Sequence, residues 1–327
     1  MPGCWRLPAA PPAAPLPRMA PDRRPILLAG PTASGKSALA LALAERLDGL
    51  VINADSQQIY ADWRILTARP TPVEEARVPH RLYGFLGLEA GYSVGQWLRD
   101  LAPCLAEAEA AGRVAILTGG TGLYFTALTE GLAEIPPVPA ALRADIAEHL
   151  DRDGLPALVE GLAAADPDTA AMIDHANPAR ILRAWEVLRA TGRGLAAWQA
   201  DTPPPLLPPG TARCLALMPD ANALDARIAQ RFVAMVAGGA LEEAAAVAAR
   251  DPAPGAPGMK ALGAWDLVEH LRGERSLEDA VARATQVTRR YAKRQRTWIR
   301  GRLPDWPRLA DADPETALAA LPHDPIA

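Results

Sequence analysis

Cysteine is scarce in this chain of 327 residues, which contains three, at Cys4, Cys104 and Cys214. They lie far apart, and no two of them have the C-x-x-C spacing typical of zinc sites and redox centres. Small secreted proteins that depend on disulfide bonds carry more cysteines at closer spacing. The chain is therefore predicted to be a reduced, cytoplasmic protein without a disulfide framework or a zinc site.

Long apolar runs are also missing, although 50% of the residues are hydrophobic. No segment approaches the roughly 20 apolar residues of a membrane-spanning helix, and we expect no contact with a membrane. The chain is long enough to bury a large core and to form two domains.

An excess of positive charge is missing as well, since the formal net charge is −4. That total argues against a nucleic-acid partner, but the distribution of charge along the chain matters more.

Helical and strand periodicity is absent from residues 1–24, which include seven prolines. These prolines interrupt the continuous apolar centre that a signal peptide needs. We interpret the segment as a disordered leader, and either Met1 or Met19 could be the first residue of the natural protein.

The segment Gly30–Ser37, GPTASGKS, matches the phosphate-binding loop pattern G-x-x-x-x-G-K-[ST] in full. An apolar strand is predicted before it at residues 25–29, and a helix after it at residues 38–47. Such a loop directs backbone N–H groups toward one point, at the positive end of the helix dipole. Lys36 adds a charge, and the Ser37 hydroxyl suits Mg²⁺. The loop is therefore predicted to bind a polyphosphate.

Two further apolar strands are predicted, at residues 50–55 and 113–118, and polar groups stand where they end. Ligands of a parallel α/β sheet bind at the carboxyl ends of its strands. Asp55 is either a cap or turn residue or part of the site, and its position beside a phosphate loop favours the site. Gly119-Gly120 would let the backbone approach a ligand, with the Thr121 hydroxyl beside it; a simple turn is the alternative.

The distribution of prolines divides the rest of the chain. Residues 135–204 lie between proline-rich segments and are predicted to form an inserted, all-helical domain. Residues 25–134 and 205–310 are predicted to form one α/β core, a P-loop NTPase-like parallel sheet flanked by helices. Residues 311–327 are expected to be a C-terminal tail.

Three pairs of neighbouring cations could each grip an anion or face solvent. The first pair is expected in a loop, and the other two lie on one face of a predicted helix, at i, i+3 and i, i+4. The pairs are His80 and Arg81, Arg180 and Arg183, and Arg227 and Arg231.

A strongly basic helix is predicted at residues 281–302, which contain eight Lys or Arg residues and no acid. Four of the cations share one face, at i, i+4, i+7 and i+11. Val287, Tyr291 and Trp298 form an apolar edge that could seat the helix on the core. Unbalanced like charges repel along a helix, so a phosphate backbone is the favoured partner of this stripe. The four residues of the stripe are Arg289, Lys293, Arg296 and Arg300.

Five motifs, in this order and spacing, resemble those of the tRNA dimethylallyltransferases over residues 25–302. The phosphate loop is shared by many families, whereas its combination with KRQ-x-TW is specific. Without the zinc-finger tail of the eukaryotic form, the chain is more similar to the bacterial type. The motifs are GPTASGKS, Asp55-Ser56-x-x-x-Tyr60, Pro79-His80-Arg81-Leu82, Thr118-Gly119-Gly120-Thr121-x-Leu123-Tyr124 and Lys293-Arg294-Gln295-x-Thr297-Trp298.

The resemblance implies transfer of a dimethylallyl group from dimethylallyl diphosphate to N6 of the adenosine on the 3′ side of the anticodon. Asp55 would be the base that takes a proton from the amine, and Thr121 would orient the amine and Asp55. Lys36 and a Mg²⁺ ion at Ser37 would stabilise the departing diphosphate. We expect a monomer. The diphosphate contacts would be Gly30, Pro31, Thr32, Ala33, Ser34, Gly35, Lys36, Ser37, Arg227 and Arg231.

The same resemblance implies that tRNA is held between the inserted domain and the basic helix, with the target adenosine drawn out of its stack. Matched by motif, the expected tRNA contacts are Asp55, Ser56, Gln57, Gln58, Thr121, Arg143, Ala179, Arg180, Ile181, Leu182, Arg183, Lys260, Ala261, Leu262, Gly263, Ala264, Trp265, Lys293, Arg294, Gln295, Arg296, Thr297, Trp298, Ile299 and Arg300.

The chain departs from the family pattern in two places. Relatives often read RGMDIGTAKP where residues 61–70 read ADWRILTARP, and G-Y-[KR]-[EQ] where residues 263–266 read GAWD. The side chains at these two places therefore differ from those of the relatives.

Three other readings of the sequence stay open. A P-loop kinase that uses ATP explains the loop equally well, but it gives the basic helix no role. An adenylate isopentenyltransferase would need no tRNA clamp. A non-catalytic RNA-binding protein would not need Lys36, Asp55 and Thr121 together.

Overall fold

The computed structural model describes residues 23–322. The predicted leader therefore lies almost entirely outside the described residues, as do Met1, Cys4, Met19 and residues 323–327. Six parallel strands form one sheet in the order β3-β2-β4-β1-β5-β6. The strands are β1 (Ile26–Ala29), β2 (Gly49–Asn53), β3 (His80–Arg81), β4 (Val114–Gly119), β5 (Arg213–Leu217) and β6 (Arg308–Leu309).

Helices cover both faces of this sheet, because its central strands are apolar on both sides. Side chains alternate along each strand, so Leu27 belongs to one buried cluster and Leu28 to another. The predicted P-loop-like α/β class is confirmed. The helices of this first half are α1 (Lys36–Leu47), α2 (Pro72–Arg77), α3 (Val94–Ala110) and α4 (Gly122–Glu130).

The segment between α4 and β5 adds four helices with a small core of their own. The first is broken at Gly154, where φ is 79°. Leu158, Leu162 and Ile181 are among the buried residues at the centre. The helices are α5 (Ala140–Ala165), α6 (Pro167–Met172), α7 (Pro178–Thr191) and α8 (Leu195–Ala200).

After β5 the chain is mostly helical. A π-helical turn at Val236–Ala240 and a 3₁₀ turn at Pro257–Lys260 join the helices. The basic helix begins four residues earlier than its predicted start, since Ser276 caps it through a bond from the Asp279 N–H. The helices are α9 (Ala221–Met235), α10 (Leu241–Ala248), α11 (Ala264–Leu271), α12 (Leu277–Arg302) and α13 (Pro314–Ala320).

Two expectations from the sequence are corrected. His80 and Arg81 do not lie in a loop but form β3, paired with Val51 and Ile52 of β2. The predicted C-terminal tail contains α13, whose Ala317 is fully buried in the cluster that covers α1. Among residues 23–322, no helix is long and apolar enough to cross a membrane.

Candidate active site

The phosphate-binding loop joins β1 to α1 at the carboxyl edge of the sheet. Lys36 is buried, and its ammonium group donates a hydrogen bond to the Pro31 carbonyl at 3.3 Å. Burial lowers the pKa of Lys36 to about 8, the neighbouring Asp55 carboxylate opposes that shift, and Arg231 adds to it. The three charged groups thus share one site. Ser37 is exposed at the first turn of α1.

Asp55 follows β2 by two residues and is 9% exposed. The side chain of Asn53 fixes the turn by accepting from the Asp55 N–H and donating to the Asp55 carbonyl, at 2.8 and 2.9 Å. One carboxylate oxygen, Oδ1, accepts from the Gln57 N–H at 3.0 Å. No donor among residues 23–322 reaches the other oxygen, Oδ2, which leaves it available to a ligand.

Thr121 lies next to Asp55 but bonds to Ser56. Its hydroxyl accepts from the Ser56 N–H at 2.9 Å and donates to the Ser56 hydroxyl at 3.1 Å. Tyr291 of α12 lies close enough to this group for the Thr121 side chain to influence its phenol. Burial, and then Asp55, raises the pKa of Tyr291, so the phenol stays protonated. The sequence indicated Tyr291 only as part of an apolar edge.

The glycines after β4 allow close contact within the protein. A Cβ atom at Gly119 would lie 2.0 Å from the Ala54 carbonyl oxygen, and one at Gly122 would lie 2.3 Å from the Trp298 ring. Small residues are therefore required for this turn to pack against β2 and α12. Packing within the protein is enough to explain these glycines, without the predicted approach of a ligand.

Gln295 connects the two turns of the site. Its side-chain oxygen accepts from the Thr32 N–H in the phosphate loop, and its amide donates to the Gly120 carbonyl, both at 2.8 Å. The residue is 6% exposed. The resemblance predicts that Gln295 contacts tRNA. In the structure, the side-chain oxygen and the side-chain amide both form hydrogen bonds inside the protein.

A cavity that opens to solvent lies beside the loop, between α9 and the segment before α11. Its polar lining consists of Thr32, Gln57, Arg231 and Thr288. Arg227 lies outside it and donates to the Ser34 carbonyl at 3.5 Å, with Asp311 at 3.9 Å. The cavity's apolar lining consists of Ala33, Leu66, Ile228, Phe232, Met235 and Leu262.

The expected tRNA contacts separate into exposed and buried groups. On α12, Lys293 and Arg300 point outward, as does Arg289 of the basic stripe, while Arg296 is half-buried with its Nε enclosed and without a hydrogen bond among residues 23–322. The other outward members are Arg143, Ala179, Arg180, Lys260, Arg294 and Thr297. The half-buried members are Ser56, Gln57, Thr121, Leu182, Arg183, Leu262, Trp265 and Trp298. The buried members besides Asp55 and Gln295 are Gln58, Ile181, Ala261, Gly263, Ala264 and Ile299.

Several members of this set already have a structural role. Ile181 packs in the core of the inserted helices, and Arg183 pairs with Glu186 at 3.3 Å. The Gln58 amide donates to the Thr67 and Ala68 carbonyls at 3.0 and 2.8 Å. The motif match therefore selects residues that build the site as well as residues that face outward from it.

The fold and the loop define a P-loop protein in which a phosphate-loop motif, a cavity and a buried carboxylate meet at one sheet edge. The model of the IPP transferase family matches residues 58–302. A tRNA dimethylallyltransferase of Cereibacter sphaeroides is 55% identical and covers 88% of each chain. One of Rhodopseudomonas palustris is also 55% identical, over 89% of this chain and 92% of its own. The chain belongs to the IPP transferase family, that of the tRNA dimethylallyltransferases.

Solved structures agree with this assignment. A full-length tRNA isopentenylpyrophosphate transferase of Bacillus halodurans is 30% identical, with a TM-score of 0.63 over 91% of this chain and 94% of its own. A eukaryotic dimethylallyltransferase described as acting on tRNA has a TM-score of 0.72 over 90% of this chain and 75% of its own. At 24% identity, the latter supports the fold alone.

Proposed function

We propose that this protein transfers the dimethylallyl group of dimethylallyl diphosphate to N6 of the adenosine 3′-adjacent to the anticodon in tRNA, giving N6-isopentenyladenosine. The observation that carries the proposal is the meeting of a phosphate loop, an apolar cavity and Asp55 at one sheet edge. A diphosphate with a short branched tail matches the first two parts, and an amine that must lose a proton matches the third.

The chemistry assigns a role to each charged group. The N6 lone pair attacks C1 of the dimethylallyl group, and the electron pair of the breaking C–O bond leaves with the diphosphate. Lys36 and Arg231 stabilise the charge that grows on that leaving group. Asp55 takes the proton from N6 through Oδ2, the oxygen that the protein leaves without a donor.

Arg231 is the better of the two arginines for binding the diphosphate. Its side chain lines the cavity beside Thr32 and lies near both Lys36 and Asp55. Arg227 is more exposed and interacts with the outer side of the loop and with Asp311. We assign Arg231 to the diphosphate and Arg227 to the loop's conformation.

The residues around Ser37 fit Mg²⁺ bound mainly through the substrate. Residues 23–322 contain no group of three His, Cys, Asp or Glu side chains that could hold a metal ion. Mg²⁺ is often bound by one or two protein oxygens together with substrate phosphates and water. Ser37 would supply such an oxygen, and the ion would neutralise charge on the diphosphate.

The acceptor is assigned to tRNA because of α12. Exposed cations of this helix and of α5 and α7 face outward, where a phosphate backbone could reach them. A small-molecule kinase and an adenylate isopentenyltransferase both leave these surfaces without a partner. The proposed clamp uses the inserted helices on one side and α12 on the other.

One assay separates the alternatives. Protein, Mg²⁺ and dimethylallyl diphosphate labelled in the prenyl group are incubated with tRNA, with AMP or with neither, and the labelled product is isolated. We expect label in tRNA alone, at the adenosine next to the anticodon. Label in AMP would indicate the adenylate enzyme, and no transfer to either acceptor would contradict the proposed reaction.

A further inference from the structure

A second cavity, which we call the Arg69 cavity, opens to solvent and shares Ser37 with the phosphate loop. It lies over the ends of β2, β3 and β4, on the side of the sheet that α1 covers. None of its other lining residues belongs to the site described above. Its polar lining consists of Ser37, Arg69, Glu74, His80, Tyr83 and Thr118.

Arg69 is the unusual member of this lining. It is 9% exposed, its Nε is enclosed, and its guanidinium forms no hydrogen bond or ion pair with any residue from 23 to 322. Burial, followed by repulsion from Arg64, lowers its pKa. A buried cation without a close partner is strongly unfavourable in a folded protein.

The acids that surround Arg69 at longer range are each bound elsewhere. Glu243 accepts from the backbone N–H groups of residues 64–66 at 2.7 to 3.0 Å. Glu75 is 3.4 Å from Arg64, and Asp62 pairs with Arg250. Their charges reduce the penalty on Arg69 but leave its guanidinium donors unused.

The protein holds Arg69 in this position through a specific turn. Ala68 has a left-handed φ of 49°, and Gln58 binds the carbonyls of residues 67 and 68. The guanidinium then lies against Gly84, where a Cβ atom would be 1.0 Å from Nη1. Any side chain at Gly84 would displace Arg69, so the backbone on both sides fixes this arginine over the cavity.

Thr118 provides a second unpartnered group. Its hydroxyl, at the end of β4, is enclosed and has no hydrogen-bond partner among residues 23–322, while the residue is 2% exposed. The one acid of the lining, Glu74, uses its Oε2 to accept from the Thr71 N–H and hydroxyl at 2.7 and 2.8 Å. His80 is fixed by its Nδ1–H, which donates to the Val78 carbonyl at 2.8 Å.

From these contacts we propose that the Arg69 cavity is a binding site for a phosphoryl anion, continuous with the phosphate loop through Ser37. An arginine fork with hydroxyl donors around it matches a tetrahedral oxyanion. The proposal extends the proposed function, because the reaction releases diphosphate at the loop. The anion is either the outer phosphoryl group of that diphosphate or a separate phosphate.

Calorimetric titration of the full chain with diphosphate and with inorganic phosphate, each with Mg²⁺, tests the site. We expect Arg69→Gln to weaken binding of the anion that occupies the cavity by about tenfold or more, as for a lost bond to a charged group. Arg69→Lys should keep most of the affinity. Arg77→Gln on α2 is the control, since it removes the same charge from an exposed pair with Glu45.

Thermal unfolding separates a binding role from a structural one. Without added anion, Arg69→Gln should melt at or above the temperature of the unsubstituted protein, because a buried unpaired charge is removed. The stabilisation that added diphosphate or phosphate gives should be reduced in the same variant. Thr118→Val should show the same pattern more weakly and serves as the second variant.

The two sources of the anion give different results. If the outer phosphoryl group occupies the cavity, Arg69→Gln weakens diphosphate binding, and dimethylallyl diphosphate competes with the bound anion. If a separate phosphate occupies it, phosphate binding alone is weakened, and dimethylallyl diphosphate does not compete. Unchanged binding of both anions would overturn the proposal, whether or not the variant melts at a lower temperature in their absence. No tRNA is present, so failure of prenyl transfer cannot be mistaken for failure of this site.

Discussion

At the scale of single residues, the two oxygens of Asp55 have different surroundings. Oδ1 accepts from the Gln57 N–H, and Oδ2 is left for the substrate. Asp55→Asn keeps the acceptor at Oδ1 but removes the base, so we expect kcat to fall by about 100-fold or more. The affinity for tRNA, measured by filter binding, should change little. A loss of tRNA affinity as large as the loss of rate would contradict the assignment.

Gln295 is a positioning residue in this scheme, since it ties Thr32 to Gly120. Gln295→Met keeps its size and removes both bonds, and we expect stability to fall by about 1–3 kcal/mol because two backbone groups lose their partner. We also expect kcat to fall while the tRNA dissociation constant stays within about twofold, since the side chain is buried. Single-turnover kinetics and tRNA binding check this. A selective loss of tRNA affinity would show instead that Gln295 contacts tRNA.

The depressed pKa of Lys36 predicts a pH dependence of anion binding. Lys36 loses its proton as pH rises through about 8 in the free protein, so diphosphate affinity should fall above that pH. Lys36→Arg keeps its charge throughout and provides the reference that removes the titration of diphosphate itself. Calorimetry between about pH 7 and 10 measures the difference. A parallel decline in both proteins would contradict the role of Lys36.

The same shift has a consequence for stability with the opposite sign. Since the folded pKa of Lys36 lies below that of the unfolded chain, the unfolded state binds more protons between about 8 and 10.5. Lys36 therefore opposes folding below that window, and this penalty disappears as pH rises through it. Binding and stability thus respond to pH in opposite directions at one residue.

At the scale of elements, α12 has two distinct sides. Its inner side carries Gln295 and Tyr291 to the active site, and its outer side carries exposed cations. Lys293→Ala combined with Arg300→Ala should lower tRNA affinity and reduce the slope of log K against log salt by about 1.5. The matched control is Arg283→Ala with Arg302→Ala, because these face Asp266 and Glu130 at 3.2 and 3.8 Å. Equal slopes in the two double variants would argue against a backbone-binding surface on α12.

The elements that the sequence predicts well are those with their own local signal. The phosphate loop, α1, the apolar strands and α12 follow from motif and period. The edge strands β3 and β6 have two residues each, too short for any period, and form only because a neighbouring strand offers hydrogen bonds. The sequence likewise indicates Asp55 by its place after a strand. It cannot indicate that Gln295 and Tyr291 face inward, because the packing of α12 decides that.

At the scale of the whole molecule, the inserted helices are an addition to a complete sheet. All six strands come from residues 26–119 and 213–309, and α5–α8 have their own core. The two connections lie side by side: a Cβ atom at Gly131 would be 2.5 Å from the Pro203 carbonyl oxygen, and the Leu207 N–H donates to Leu128 at 3.0 Å. A short linker could therefore close the gap without moving β4 or β5.

This geometry allows the two halves of the proposed function to be separated. Replacing residues 135–202 with a short Gly-Ser linker should leave diphosphate affinity nearly unchanged, because the loop, Lys36 and Arg231 all lie outside the deletion. Affinity for tRNA should fall by about tenfold or more, and its salt dependence should weaken, because the cations of α5 and α7 are removed. Circular dichroism confirms the fold of the shortened protein before the binding measurements. Unchanged tRNA affinity would show that α12 and the core hold the RNA without the insertion, and would assign α5–α8 another role.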